Sequence, residues 1–295
     1  MQEDKSAPRV RIIPRLDIKG PNLVKGVNLE GLRVLGKPDR FARYYYESGA
    51  DELVYMDVVA SLYGRNSLLE VIKSTAREIF IPLTVGGGLR TLDDIGMALR
   101  AGADKIALNT GAIRNPMLIK DAARKFGSST IVISIEAKRQ DDGAYEAFVD
   151  NGRERTGLNA LDWAIKAAQL GAGELLVTSV DREGTGRGFD LDLIRMITES
   201  VSIPVIAGGG AGQLSHILAA ISEAGADAVC FASMLHYRFA LQCSAQDDYS
   251  SEGNVEYLRS GRDLQKRLQL VTIDEVKAWL DDHHIPCRQE HRVGA

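Results

Sequence analysis

The chain repeats itself across its length, and this repeat restricts the possible folds more than any other feature. The string Ile-Pro-Leu-Thr-Val-Gly-Gly-Gly at 81–88 matches Ile-Pro-Val-Ile-Ala-Gly-Gly-Gly at 203–210. The string Ala-Gly-Ala-Asp occurs at 101–104 and again at 224–227. Both repeats have nearly the same offset. We therefore predict two halves with the same order of elements, and functional sites that occur in pairs.

Short apolar runs recur along the chain, and stretches with helical periodicity separate most of them. Runs that are apolar throughout are typical of parallel strands buried on both faces. Strands alternating with helices predict an α/β fold, the (β/α)8 TIM barrel, with a half-barrel internal repeat. A doubly wound open sheet is the alternative, and the half-and-half repeat favours the closed barrel. The predicted strands are 9–13, 53–58, 81–85, 105–108, 130–135, 174–178, 203–207 and 228–232.

Two segments fall outside the alternating pattern. We expect one barrel over 9–288, with a small hairpin at 138–156 after strand five and a polar insert at 241–270 after strand eight. A last helix is expected at about 274–282. The termini, 1–8 and 289–295, are expected to be loose.

Composition excludes several classes of protein. The formal net charge is −4, so there is no basic surplus to indicate a nucleic-acid or membrane partner. No apolar run reaches the length of a membrane span. Three widely spaced cysteines do not predict a disulfide framework or a metal site, and they suit a reducing cytoplasm.

Glycines and short polar residues follow four of the predicted strands. In a barrel the site lies where strands end. Gly87 and Gly88 follow strand three, and Gly209 and Gly210 follow strand seven. Glycine lets backbone N–H groups approach an anion, although such glycines can also serve only as tight turns. Two symmetric cups favour phosphate at both ends of one substrate. The polar partners of the cups are Asn109 and Thr110 in the first half, and Ala232 and Ser233 in the second.

Two carboxylic acids occupy equivalent positions just after strands one and five. Asp17 and Glu136 would face each other across the barrel mouth, and burial can separate the pKa values of such a pair. We predict that they act as general acid and base; the alternative is that each only pairs with a neighbouring lysine. Thr178, Asp181 and Gly184, at the end of strand six, are further candidates for substrate binding.

Four charged residues lie at the opposite end of the predicted barrel. Charges at strand starts are rare unless they are paired. Two cations and two anions can close into a ring of salt bridges, which serves either as a structural plug or as a gate. The four are Arg11, Glu52, Lys105 and Glu174.

Several of these strings together resemble a known family. Over about 9–240, and again at 271–288, the chain resembles the cyclase subunit of imidazole glycerol phosphate synthase, of the histidine pathway. The related isomerase of that pathway matches the strings less well. The strings are Leu-Asp-Ile-Lys at 16–19, Val-Lys-Gly at 24–26, Ala-Asp-Glu-Leu at 50–53, Leu-Thr-Val-Gly-Gly-Gly at 83–88, Ala-Asp-Lys at 103–105, Thr-Ser-Val-Asp-Arg-Glu-Gly-Thr at 178–185 and Gly-Gly-Gly-Ala-Gly at 208–212.

The resemblance implies an activity, a partner and further roles. A glutaminase subunit docks at the barrel floor, where Asp104 maps to a partner contact, and the four floor charges map to an ammonia gate. Ammonia crosses the barrel and reacts with a bisphosphorylated ribulosyl aminoimidazole carboxamide. The products are imidazole glycerol phosphate and an aminoimidazole carboxamide ribotide. Asp17 and Glu136 map to the catalytic pair, and Lys25 maps to a lysine on the loop after strand one. No cofactor and no metal are implied.

The chain departs from the family pattern at the mouth but not at the floor. Glu136 replaces an aspartate, Arg15 a small residue, Glu183 an aspartate and Gly208 a serine, the first loop reads Lys-Gly-Pro-Asn at 19–22, and the insert is foreign. This asymmetry supports a second hypothesis, in which ammonia is delivered to a sugar acceptor to form an acetamidino sugar for surface polysaccharide. A sugar-phosphate isomerase and a non-catalytic glutaminase activator are the remaining hypotheses.

Overall fold

A computed structural model describes residues 9–58, 66–243 and 268–288. It confirms the predicted (β/α)8 barrel. Eight parallel strands pair in sequence, and pairing between the fifth and sixth of them closes the sheet on itself. The barrel strands are β1 (Arg11–Lys19), β4 (Leu53–Asp57), β5 (Leu83–Gly86), β6 (Lys105–Leu108), β7 (Ile131–Arg139), β10 (Glu174–Ser179), β11 (Val205–Gly208) and β12 (Ala228–Phe231).

Helices cover the outside of the barrel and bury its larger core. Alternate strand residues face these helices, while the others form a separate apolar cluster inside the lumen that includes Ile13, Val54 and Leu176. The helices are α1 (Pro38–Glu47), α2 (Asn66–Ala76), α3 (Leu92–Ala101), α4 (Thr110–Arg114), α5 (Met117–Phe126), α6 (Ala160–Gln169), α7 (Leu191–Thr198), α8 (Leu214–Ser222), α9 (Ser233–Cys243) and α10 (Ile273–Asp282).

The repeated Ile-Pro and Ala-Gly-Ala-Asp strings form the same contact in both halves. Strands β5 and β11 begin two residues later than predicted, after Pro82 and Pro204, because proline has no N–H to donate to a strand ladder. The first strand N–H then donates to the aspartate of the following string. Leu83 N donates to Asp104 Oδ2 at 2.9 Å, and Val205 N donates to Asp227 Oδ2 at 2.8 Å.

The first and fifth barrel strands extend past the rim, which the sequence analysis did not predict. There β1 pairs antiparallel with β2 (Asn22–Val27), which pairs with β3 (Glu30–Gly36). In the second half β7 pairs with β8 (Tyr145–Val149), and β8 with β9 (Glu154–Asn159), at the hairpin predicted for 138–156. Asp17 and Glu136 were expected just after their strands. Both lie within them, because the parallel ladders with β4 and β10 reach these positions, where β2 and β8 also pair.

Two helices were not predicted from the sequence. Other predictions concern residues that lie outside the described part of the chain. Helices α4 and α9 follow strands four and eight, where only polar strand ends were expected. Helix α9 runs three residues into the predicted insert, of which 244–267 lie outside the described residues, as do the terminal segments 1–8 and 289–295. Among the described helices, none has the length and apolarity needed to cross a bilayer.

The C-terminal segment returns to the start of the barrel. The predicted last helix is confirmed as α10, which packs on α8. Its Lys277 is buried and donates to Asp51 Oδ1 at 2.7 Å, while Asp51 Oδ2 accepts from Ile12 N at 2.8 Å. This ion pair therefore ties the last helix to the first two barrel strands.

We expect Asp51→Asn to lower the free energy of unfolding by about 3 kcal/mol, because it leaves the Lys277 charge buried without its anion. The matched control is Glu70→Gln, which removes the exposed Glu70–Lys73 pair and should cost less than about 1 kcal/mol. Urea unfolding at neutral pH measures both. Equal losses would show that the buried pair does not stabilise the fold.

Candidate active site

The two predicted catalytic acids lie at the top of the lumen on the extended strands. Asp17 and Glu136 are 2% and 3% exposed. In β1, Arg11, Ile13, Arg15 and Asp17 alternate with outward residues, so they share the inward face. The Asp17 charge acts to raise the pKa of Glu136, which places the two acids within electrostatic reach of each other.

A third charged side chain, Arg15, lies between these acids. Arg15 Nε donates to Asp17 Oδ1 at 2.8 Å, and Arg15 Nη1 donates to Thr178 Oγ1 on β10 at 3.4 Å. Burial disfavours the guanidinium charge, but Asp17 and Glu183 outweigh that effect and raise the pKa of Arg15. The side chain therefore stays charged inside the lumen.

Glu136 combines burial with a single backbone hydrogen bond. Burial raises its pKa from a usual value of 4.5 to about 7, against the opposing effects of Arg15 and of the Gly152 N–H. Gly152 N donates to Glu136 Oε2 at 2.7 Å from the turn between β8 and β9. A carboxyl group with a pKa near neutrality can give and take a proton at physiological pH.

The predicted loop lysine is buried in an ion pair. Lys25 lies in β2 and pairs with Glu183, and Asn28 N donates to Glu183 O at 2.8 Å. Burial lowers the pKa of Lys25, but Glu183 and Asp17 raise it by more, so the ammonium stays charged. The hairpin of β2 and β3 thus lies across the mouth.

The predicted first phosphate cup opens as a cleft of about 260 Å³. Gly87, Gly88, Asn109 and Thr110 line it, and Glu136 also reaches it. Gly87 has φ +104°, and a Cβ there would lie 2.3 Å from Asp57 O, so only glycine fits. The cup and one catalytic acid therefore share a cavity.

The residues of the predicted second cup lie at the ends of the neighbouring strands β11 and β12. A Cβ on Gly210 would lie 2.2 Å from Gly188 O, and Gly209 lies beside Glu183 Oε2. Thr178, Ala232 and Ser233 are buried, with Ser233 opening helix α9. Gly184 lies against Gly26 O of the hairpin. The hairpin therefore covers this side of the mouth.

Asp181 is the predicted site residue that lies apart from the others. It is exposed at the rim, and its Oδ2 accepts from Arg139 N at 2.9 Å. In this conformation the carboxylate supports the end of β7.

The four floor charges form a closed ring. Arg11 Nη1 donates to Glu52 Oε1 at 2.6 Å, and its Nη2 pairs with Glu174. Lys105 Nζ lies 3.0 Å from Glu52 and 3.1 Å from Glu174. Each cation contacts both anions, so the ring neutralises itself at the start of the lumen.

The ion pairs and the hydrogen bond around Asp17 and Glu136 were not predicted from the sequence. Arg15 and Glu183 were noted as departures, but their pairing with Asp17 and Lys25 was not predicted. The i, i+2 spacing of Arg15 and Asp17 on one strand was the available signal, whereas the Gly152 contact had none. No group of three or more potential metal ligands occurs within 9–58, 66–243 and 268–288.

We expect the stability difference between the wild type and Glu136→Gln to depend on pH. Between about 4.5 and about 7 the folded protein holds a proton on Glu136 that the unfolded chain has lost. The free energy of unfolding of the wild type therefore falls as pH rises through this window. The Glu136→Gln variant does not lose this contribution, because it has no carboxyl group at position 136 to titrate. Unfolding curves at several pH values should show the variant gaining on the wild type up to about pH 7. A pH-independent difference would contradict the raised pKa.

Comparison with known proteins now adds to this geometry. A family model described as "Histidine biosynthesis protein" matches residues 11–240. A Legionella pneumophila protein, imidazole glycerol phosphate synthase subunit HisF, is 60% identical over 205 residues, 70% of this chain and 97% of the relative. The subunit of the same name from Alkaliphilus metalliredigens (strain QYMF) is 51% identical over 227 residues, 77% and 90% of the two chains. The chain therefore belongs to the histidine biosynthesis protein family, and within it to the relatives named as HisF subunits of imidazole glycerol phosphate synthase.

Proposed function

We propose that the chain is the cyclase subunit of an imidazole glycerol phosphate synthase. It uses ammonia to convert a bisphosphorylated ribulosyl aminoimidazole carboxamide into imidazole glycerol phosphate and an aminoimidazole carboxamide ribotide. The observation that carries this proposal is the pair of buried carboxylic acids, Asp17 and Glu136, at the top of a lumen whose floor is a ring of charges. The 60% identity to a HisF subunit supports it.

The two acids suit opposite roles in ring closure. Closing a ring on ammonia requires that protons leave the attacking nitrogen and that a proton reach the departing group. Asp17, which pairs with the Arg15 guanidinium, is the base. Glu136, with a pKa of about 7, is the acid that supplies the proton.

The two glycine cups suit a substrate with a phosphate at each end. The first cup adjoins Glu136 in the open cleft, which supports phosphate contacts from Gly87, Gly88, Asn109 and Thr110. The second cup combines Gly209 and Gly210 with the start of α9, an eleven-residue helix. Lys25 lies beside it, paired with Glu183.

The floor suits a glutaminase partner that delivers ammonia into the lumen. Asp104 is exposed there, next to Lys105 of the ring. Phe80 precedes β5 at the same end and is 82% exposed, which is unusual for a large apolar side chain. We assign this face to the partner and the ring to the ammonia gate.

A sugar acceptor is the second candidate, because the cluster at the mouth departs from the family pattern while the floor does not. Arg15, Glu136 and Glu183 are all buried at this cluster. An altered cluster above an unaltered gate is what a changed acceptor would require.

The first experiment supplies the purified chain with free ammonia at alkaline pH and the ribulosyl substrate, and follows release of the carboxamide ribotide. We expect turnover by the wild type and a loss of about 100-fold or more in Asp17→Asn. Asp93→Asn makes the same chemical change at an exposed position on α3 and is the control. A folded wild type without turnover, with Glu136→Asp also inactive, would reject the cyclase and direct the assay to sugar acceptors.

A second prediction concerns the gate. Glu52→Gln removes one anion that both Arg11 and Lys105 contact. We expect glutamine-dependent turnover of the complex to fall by about 5-fold or more relative to turnover with free ammonia. Glu70→Gln, on the outer face of α2, should leave the ratio unchanged. An equal loss with both nitrogen sources would show that the ring is only structural.

A further inference from the structure

Arg15 places a full positive charge inside the barrel, where a charge is costly unless it is paired. Its side chain starts on β1 and reaches Thr178 on β10, three strands away around the barrel. It therefore crosses the lumen between the floor ring and the mouth.

The hydrogen bonds of Arg15 are unevenly distributed. The bond from Nε to Asp17 Oδ1 is short, at 2.8 Å, whereas that from Nη1 to Thr178 is long, at 3.4 Å. Arg15 Nη2 is buried and has no hydrogen-bond partner within the described part of the chain. The guanidinium is thus fixed chiefly by Asp17.

The charged side chains around Glu136 pair with one another, and among the described residues no cation forms an ion pair with Glu136. Lys25 pairs with Glu183, Arg15 with Asp17, and Asp150, whose charge also acts to raise the pKa of Glu136, with Arg153. With Glu136 protonated, the cluster is neutral; with Glu136 ionised, it carries an extra negative charge. One cation therefore distinguishes the two acids, because it contacts Asp17 directly and acts on Glu136 only through space.

We propose that Arg15 is a positioning residue that fixes Asp17 as the carboxylate base and leaves Glu136 as the proton-carrying acid. This inference rests on the proposed function for its kinetic consequence. The ion pair holds the Asp17 carboxylate in one orientation. Without Arg15 the Asp17 carboxylate would lose the cation that it contacts, and Glu136 would lose a nearby positive charge.

Two substitutions of Arg15 separate the effect of its charge from the effect of its shape. Arg15→Met keeps much of the length and removes the charge, and Arg15→Lys keeps the charge without the planar fork. At a fixed concentration of free ammonia, we expect Arg15→Met to lower kcat by about 100-fold. The limb of its pH–rate profile that Glu136 sets should move to higher pH, because Glu136 loses a nearby cation. Arg15→Lys should restore the position of the profile and part of the rate.

A double mutant tests whether Arg15 acts through Asp17. If it does, adding Arg15→Met to Asp17→Asn should cost little beyond Asp17→Asn alone. Asp51→Asn, which breaks a buried ion pair at the floor, is the control for general destabilisation and should leave the pH profile in place. A wild-type profile in Arg15→Met, or additive losses in the double mutant, would overturn the proposal.

A titration without substrate keeps this test separate from the proposed function. The carboxyl carbon of Glu136, followed by NMR in labelled protein, should titrate near pH 7 in the wild type and at higher pH in Arg15→Met. This shift is expected whatever the ammonia acceptor is. An unchanged titration would refute the electrostatic role of Arg15 even if the enzyme proves to be a cyclase.

Discussion

Charge enclosed in a closed barrel has to be paired, and this requirement organises the molecule from floor to mouth. Eight parallel strands exclude water from the lumen, so every ionised group within it needs a partner. At the floor two cations and two anions satisfy one another in a ring. At the mouth two ion pairs neutralise Asp17 and Glu183, whereas Glu136 accepts a backbone hydrogen bond from Gly152. Burial raises the pKa of Glu136 to about 7.

The extension of strands β1 and β7 beyond the barrel rim positions the reaction site. Strands β1 and β7 continue past Asp17 and Glu136, where the antiparallel strands β2 and β8 pair with them in addition to their parallel neighbours. This extension holds both catalytic acids on regular strands, where side-chain direction is fixed, and not on free loops. The same hairpins cover the mouth, through Lys25 on one side and Gly152 on the other. The elements that place the acids therefore also keep water from them.

Much of this was predictable from sequence, for physical reasons. Fully apolar strands, helical spacing and the repeat specify a closed barrel, and four charges at strand starts specify a floor ring. Strand limits were less predictable. Strand β1 was expected to end at residue 13 and runs to Lys19, because its parallel pairing with β4 continues to Ile18 and β2 pairs with its last residues. The contact from Gly152 to Glu136 was unpredictable, since a backbone N–H carries no sequence signal. The pairing of Arg15 with Asp17 could have been predicted, because residues two apart on a strand lie on the same face.

The two halves of the chain contribute different charges to the floor ring. Its anions, Glu52 and Glu174, occupy equivalent positions of the repeat, but Lys105 corresponds to Ala228 and both cations come from the first half. Two copies of the first half would set four cations against two anions, and two copies of the second would supply anions alone. Neither half, paired with a copy of itself, would therefore give a neutral floor of this kind. A balanced ring requires the two halves to differ, and the halves are not interchangeable.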